Sequence, residues 1–296
     1  MNSPADSSRI IRSYGGQAVI EGVMMRGRKA MAVSVRRPDG TIQTEVRPLG
    51  GIYQSAVARI PVVRGVLLLW DTLGLGWESL SISAQAQGEK PITRGEGGGM
   101  ILFSLIVVIV MFFLLPAAVG QGMESYLGAS AALGNLAEGV IRLLLLLLYL
   151  VMVGWVPEIA RVFAYHGAEH KTVNAFEAGA ELTPESVDAF PKEHPRCGTS
   201  FLLVVAVLAI VLFTLVGPLP FWERLLSRLI GIPLLIALGY EYLRLTAFLG
   251  NRTLGKILAA PGVWTQSLTT RAPDRAMLEV AITAFQAMRQ AEEAEA

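Results

Sequence analysis

Hydrophobic and polar positions change rhythm several times along this chain. Residues 1–13 are polar and serine-rich, and disorder is expected there. From residue 14 to about 51 the apolar positions come in short strand-like runs, Gln17–Met25, Met31–Val35 and Thr41–Val46, with Pro38-Asp39-Gly40 as a turn signal. Gly15, Gly16, Gly22 and Gly27 mark tight turns or bulges around them. A small β meander is predicted. Residues 60–83 read as a helix on which Arg64, Asp71 and Glu78 share one face, while Val66, Leu69, Trp70, Leu73 and Trp77 fill most of the remainder. Such a helix suits the membrane interface, or packing against a membrane bundle. A flexible stretch from Gln85 to Gly99 follows.

Met100–Val119 carries no charge, and its length is sufficient to cross a hydrocarbon core of ~30 Å. Further spans are predicted at about Val140–Trp155, Phe201–Val216 and Leu229–Leu249. Arg142 lies near the end of the second and is expected to snorkel. Glu241 and Arg244 lie inside the fourth, three residues apart near one end, and are expected to pair and snorkel. The fold class is therefore mainly α: a polytopic helical bundle of about four spans over residues 100–249, with a small cytoplasmic β meander and interfacial helices. The tail, 250–296, ends in an amphipathic helix that starts at Pro273-Asp274 and has Met277, Leu278, Ala281, Ile282, Phe285 and Met288 on one face.

Composition agrees with a membrane class. Of the 296 residues 53% are hydrophobic and 17% charged, below the roughly 25% of soluble domains. Lys and Arg set the orientation: twelve precede the first span, four lie between the second and third, and five follow the fourth. Residues 120–139 have none and 217–228 have two, so both termini and the 157–200 segment are expected in the cytoplasm. The first thirty residues contain no signal-peptide core, which agrees with a cytoplasmic amino terminus. A net charge of +1 provides no field for gathering nucleic acid. One cysteine excludes an internal disulfide, and no G-x-G-x-x-G or Walker pattern is present.

Chemistry concentrates in residues 166–197, which hold all three histidines and the one cysteine. In Tyr165-His166-Gly167-Ala168-Glu169-His170-Lys171, His166 and His170 are i and i+4 on a helix and project from one face. Glu169 lies beside them. This is the H-x-x-E-H arrangement of inverted zincins, in which two histidines hold zinc and the glutamate activates water. Gly167 weakens the helix that this geometry needs. In His194-Pro195-Arg196-Cys197 a turn would let the histidine and the cysteine converge on one ion. Imidazole plus thiolate suits zinc or another late divalent metal. The candidate ligands are His166, His170, His194 and Cys197, with Glu169 as catalytic base. Four protein ligands would close the site and make it structural; three would leave a place for water.

At these residues the chain resembles the bacterial YqhQ-like family. The stretches that carry the likeness are GGQAVIEGVMMRG at 15–27, PVVRGV at 61–66, YHGAEHKTVNAFEAG at 165–179, HPRCGTSF at 194–201 and TTRAPDRAMLEVAITA at 269–284. The resemblance implies a multi-spanning protein of the cytoplasmic membrane with a metal site at the two clusters, and a metal-dependent enzyme. It also draws attention to Glu21, Arg26 and Arg64. Glu21 reads as a strand or interface residue, with approach to the metal segment as the alternative.

The leading expectation is a zinc-dependent hydrolase at the cytoplasmic face, acting on a membrane-bound protein segment or lipid. The second is a non-catalytic membrane factor whose metal clamps a loop while other surfaces bind partner proteins. The third, metal-ion transport, is weaker, because transport sites usually sit on polar or broken helices at mid-membrane.

Overall fold

The computed structural model describes residues 14–50, 60, 63–89, 94–217, 219–250 and 252–294, with the side chains of 94–96 left out. The expectation of disorder at 1–13 lies outside these residues. Four antiparallel strands come first: β1 (Gly15–Val19), β2 (Gly22–Arg26), β3 (Ala30–Arg36) and β4 (Ile42–Pro48), paired in sequence order as a meander. Gly16 lies opposite Met25, Met25 opposite Ala32, and Ala32 opposite Val46. The turn between β3 and β4 is stabilised by Asp39, whose Oδ1 accepts from the Thr41 amide at 2.9 Å and the Thr41 hydroxyl at 2.6 Å.

Ten helices are described: α1 (Val63–Ala86), α2 (Arg94–Ile109), α3 (Leu115–Leu127), α4 (Ala131–Val153), α5 (Pro157–Glu177), α6 (Pro184–Asp188), α7 (Thr199–Leu215), α8 (Phe221–Leu249), α9 (Thr253–Thr269) and α10 (Arg275–Ala294). A π-turn, Val110–Leu114, joins α2 to α3. Helix α2 takes in the glycine run that the sequence reads as part of a flexible stretch.

The sheet is buried on both faces. Val23, Met25 and Ala32 point to one side and pack against Tyr165 and Ala168 of α5 and Leu278, Phe285 and Met288 of α10. Val19, Met24, Met31, Val33 and Val35 point to the other, where Ile82 of α1 covers them. This explains why β2 and β3 are apolar at consecutive positions rather than alternate ones. Asp274 caps α10, its Oδ1 accepting from the Met277 amide at 2.8 Å.

Three helical stretches are long and apolar enough to cross a membrane: Gly97–Leu127, Ala131–Val153 and Phe221–Leu249. Helix α7, at 17 residues, is a shorter apolar helix, about 25 Å long at 1.5 Å per residue. It packs through Ala209 and Phe213 against Leu235 of α8.

Two expectations for charged residues need correction. Arg142 does not snorkel. Its Nη2 donates to Glu138 at 2.7 Å and its Nε to the Phe112 carbonyl at 2.8 Å. Pro116 has no N–H, so it leaves the carbonyl four residues back without a helical donor, and Arg142 fills that place. Glu138 is buried and also takes Arg228 Nε and Nη2, each at 2.9 Å. For Glu241 the sequence suggests Arg244 as partner; its two oxygens instead meet Arg64 Nε at 2.7 Å and Nη2 at 2.5 Å. A bidentate guanidinium from α1 outcompetes a neighbour on the same helix because both donors fit the carboxylate plane at once. Glu78, on the same face of α1 as Arg64, pairs with Arg47 of β4. The polar stripe of α1 thus faces protein, while Val66, Trp70, Leu73, Trp77 and Leu80 are exposed.

Candidate metal centre

The 157–200 segment is largely helical rather than a loop. Pro157 opens α5 at a position where its missing N–H costs nothing, and the helix runs unbroken through Gly167. That glycine has a packing reason. A Cβ there would lie 2.1 Å from the Arg271 carbonyl oxygen, where the chain leading into α10 crosses the helix. Close approach therefore outweighs the helix cost of about 1 kcal/mol. With the helix intact, His166, Glu169 and His170 fall within about 100° of arc.

Each α5 histidine is oriented by a backbone carbonyl. His166 Nδ1 donates to Thr269 O at 2.9 Å, and His170 Nδ1 donates to Lys192 O at 2.7 Å. The proton then sits on Nδ1 and the Nε2 lone pair faces away from the carbonyl, the way metal-binding imidazoles are oriented. The Cys197 thiol donates to His166 Nε2 across 3.2 Å. His166 Nε2, a ring nitrogen of His170 and Cys197 Sγ, the three potential donors, lie within 4.8 Å of one another. Tetrahedral zinc bonds of roughly 2.0–2.3 Å place ligand atoms roughly 3.3–3.6 Å apart, so closing on an ion requires a movement on the order of 1 Å. Two imidazoles and one thiolate form a borderline-soft donor set that fits zinc. Burial pushes the Cys197 thiol up and His170 down to about 2, so the former is protonated and the latter neutral near pH 7 without metal.

His194 stands beside this group rather than in it. Its ring centroid is 5.8 Å from that of His170, its Nδ1 accepts from the Arg196 amide at 3.3 Å, and its Nε2 lies 3.5 Å from Glu177 Oε2. Burial pushes it down to about 4. Of the four expected ligands, three are brought together and one lines the wall.

Glu169 is buried, and its Oε2 has no hydrogen-bond partner among the described residues. Gly16 of β1 packs close against the carboxyl group. A Cβ on Gly16 would meet Glu169 Cδ at 3.0 Å and Met24 O at 2.3 Å, so glycine is what lets the sheet edge approach. Burial above all, opposed by His166 and reinforced by Cys197, pushes the Glu169 carboxyl up to about 7. Glu21, in the two-residue turn between β1 and β2, does approach α5. Its carboxylate takes Arg161 Nε and Nη2 at 2.5 and 2.6 Å and Tyr165 Oη at 3.2 Å, one residue before His166. Its φ of 51° is left-handed. The hydrogen-bonded Arg161 holds its carboxyl below the usual range.

A family model described as "Protein of unknown function (DUF1385)" matches residues 60–291. A full-length likeness joins it: 33% identity over 289 residues, 92% of this chain and 91% of the relative, to "Uncharacterized protein YqhQ" of Bacillus subtilis (strain 168). The chain belongs to the DUF1385 family. No solved structure matches it. The family match contains His166, Glu169, His170, His194 and Cys197 and begins after the β meander, which supplies the Gly16 contact.

Sequence reading missed the supports. Gln266, fully buried on α9, accepts from the His194 amide and donates to the His194 carbonyl, both at 2.8 Å, and donates to Ser200 Oγ at 3.0 Å. Thr269 and Lys192 act through backbone carbonyls, which carry no residue-type signal. Gln266 was findable in principle as a polar residue in an apolar helical run, but that run went unrecognised as a helix.

Proposed function

We propose that this DUF1385 protein is a metal-dependent hydrolase of the cytoplasmic membrane, with zinc held by His166, His170 and Cys197. The observation that carries the reading is the count of donors: three converge, with a buried carboxylate oxygen left over beside them. Three protein ligands leave a fourth position open, the pattern of catalytic rather than structural zinc. A zinc ion bound there supplies Lewis acidity, polarising a carbonyl or phosphoryl oxygen and acidifying water. The chain's own residues do the rest. The Thr269 and Lys192 carbonyls keep both imidazole protons on Nδ1. Glu169, raised to about 7, is poised to take a proton at Oε2 and return it to a leaving group. Gly16 packs against its carboxyl group, and the sheet edge covers it from behind.

In this reading α7 is a fourth crossing, both chain ends lie in the cytoplasm, and α1 rests in the interface with its exposed tryptophans. The Lys and Arg distribution supports that orientation. The substrate comes from the membrane, as a lipid or protein segment, because the centre lies beside the first turn of apolar α7.

Metal analysis with X-ray absorption on purified protein tests the reading. Expected are one zinc per chain, two nitrogens, one sulfur and one exchangeable oxygen, with metal lost in His166→Ala and kept in Glu169→Gln. A metal-free wild type overturns it. A closed sphere that includes His194 instead supports a structural clamp in a non-catalytic membrane factor.

A further inference from the structure

A groove of about 1,220 Å³ opens beside the metal centre, between α5, α10 and the hairpin of α8 and α9. It exceeds the roughly 300–1,000 Å³ of most small-molecule sites, so a compact metabolite would leave it largely unfilled. Its floor is small and mostly apolar: Ala247 from the last turn of α8, and Ala259, Ala260 and Val263 from α9. Tyr14 and Phe176 stand opposite. One side is therefore suited to a chain of methylenes.

The groove also lies at a membrane boundary. Helix α8 is one of the three stretches able to cross a bilayer, and the groove begins where that helix ends. Phe248, Leu254 and Ile257 are exposed around that end. Large exposed apolar side chains beside the end of a span suit the headgroup–acyl boundary. An occupant can thus enter from the leaflet without crossing bulk water.

Charge at the rim selects the headgroup. Arg196 is paired with Glu177 and Arg289 with Glu293. Lys256 has no side-chain partner among the described residues, which leaves one uncompensated ammonium over the apolar floor. Lysine is a point-charge binder of phosphate on a flexible stem. At the inner end Glu177 Oε2 stands 3.5 Å from the buried His194 Nε2, which has no hydrogen-bond partner among the described residues, and His170 lies behind that ring. The groove therefore leads to the wall of the metal centre.

We propose that this groove seats an anionic phospholipid drawn from the adjoining leaflet, its phosphate at Lys256 and an acyl chain along Ala247, Ala259 and Ala260. As the ligand presented to the metal centre it rests on the hydrolase reading; as a binding site it stands on the groove alone.

The test uses the full chain in phosphatidylcholine vesicles doped with a photoactivatable phosphatidylglycerol, with labelled peptides mapped by mass spectrometry. Expected is labelling concentrated on 247–263 and around Phe176, lowered about tenfold by Lys256→Glu through loss of a charge-assisted contact. Ala260→Trp, at an exposed position, should fill the floor and lower labelling while zinc content stays unchanged. Equal labelling by a neutral phosphatidylcholine probe, label spread evenly over the spans, or indifference to both substitutions overturns the proposal. His166→Ala separates the two readings. Groove labelling retained in a chain that holds no metal, wild type included, supports the lipid site while sinking the hydrolase. Zinc present with no groove labelling sinks the lipid site alone.

Discussion

Gln266 brackets His194: its side-chain oxygen accepts from the histidine's amide and its nitrogen donates to the same residue's carbonyl, each at 2.8 Å. Both groups are buried, so neither has water as an alternative partner. Gln266→Leu removes the oxygen and the nitrogen together and leaves the His194 amide and Ser200 Oγ unsatisfied, while the His194 carbonyl keeps the Cys197 amide at 3.2 Å. At about 1–3 kcal/mol for each buried group, partly relieved by relaxation, the expected loss is about 2–4 kcal/mol. That corresponds to a fall in Tm of roughly 5–15 °C in one detergent. An unchanged Tm would mean the turn before α7 holds itself.

Metal-free protein should gain stability from pH 4.5 to about pH 7 and then level off. His170 and His194 are lowered by burial to about 2 and about 4, from 6.5. Groups whose folded pKa is depressed contribute stability that is fully present above the unfolded value and is lost as pH falls below it. Glu169 is raised to about 7 from 4.5, so its contribution runs the other way, full below 4.5 and lost as pH rises to 7. Between 4.5 and 6.5 the two histidines outweigh the one glutamate, and stability climbs. Above 6.5 the tails of the two histidine titrations nearly balance the glutamate, and stability levels off near pH 7. Denaturant midpoints from pH 4.5 to 8 should trace this climb and plateau, and Glu169→Gln, which removes the opposing titration, should steepen the climb. A flat profile from pH 4.5 to 7 in both proteins would contradict the burial of these groups.

Much of the architecture was legible in the pattern, and the exceptions share a cause. The meander followed from short apolar runs and a Pro-Asp-Gly turn. Met277, Leu278, Ala281, Phe285 and Met288 are the face that α10 buries. The grouping of His166, His170 and Cys197 was legible because two histidines one helical turn apart and a distant thiol are written as residue types. What stayed hidden depends on partners far along the chain. The stripe of α1 looks solvated until Glu241 and Arg47 are placed against it. Glu138 lies just outside the stretch read as the second span. Helices α7 and α9 are both 17 residues long, and α9 carries Pro261, so its pattern resembled a tail.

Glu21 sits at φ 51°, where a side chain costs about 1–2 kcal/mol relative to glycine. The ion pair it makes is with Arg161, which is half exposed, so its net worth is about 0–1 kcal/mol. The two nearly cancel, and Glu21→Gly should leave stability within about 1 kcal/mol of wild type. Glu21→Val loses the pair and adds β-branched strain, so it should cost about 2 kcal/mol more than the glycine variant. Because Arg161 lowers the Glu21 carboxyl, the pair's contribution is present above pH 4.5 and is lost as pH falls further. The gap between Glu21→Gly and wild type should therefore shift towards the glycine variant in acid. Equal stability of the valine and glycine variants would remove the strain argument.

Arg228 and Glu138 are both almost fully buried between α8 and α4, joined by two bonds at 2.9 Å, with Arg228 Nη2 also 2.7 Å from Asn135 Oδ1. The guanidinium lies over the Phe213 ring, 4.4 Å from its centroid. Removing one partner strands the other in a low-dielectric site, so Arg228→Leu and Glu138→Leu should each cost about 3–5 kcal/mol. Glu138→Leu should be the worse of the two, because it also strips Arg142 of its carboxylate. The double variant Glu138→Leu/Arg228→Leu replaces the pair with apolar volume and should be clearly more stable than the sum of the single losses, by about 2 kcal/mol or more. Unfolding in one detergent for all four proteins closes the cycle. Additive losses would mean that the two side chains act independently, with helix packing rather than their ion pair joining α4 to α8.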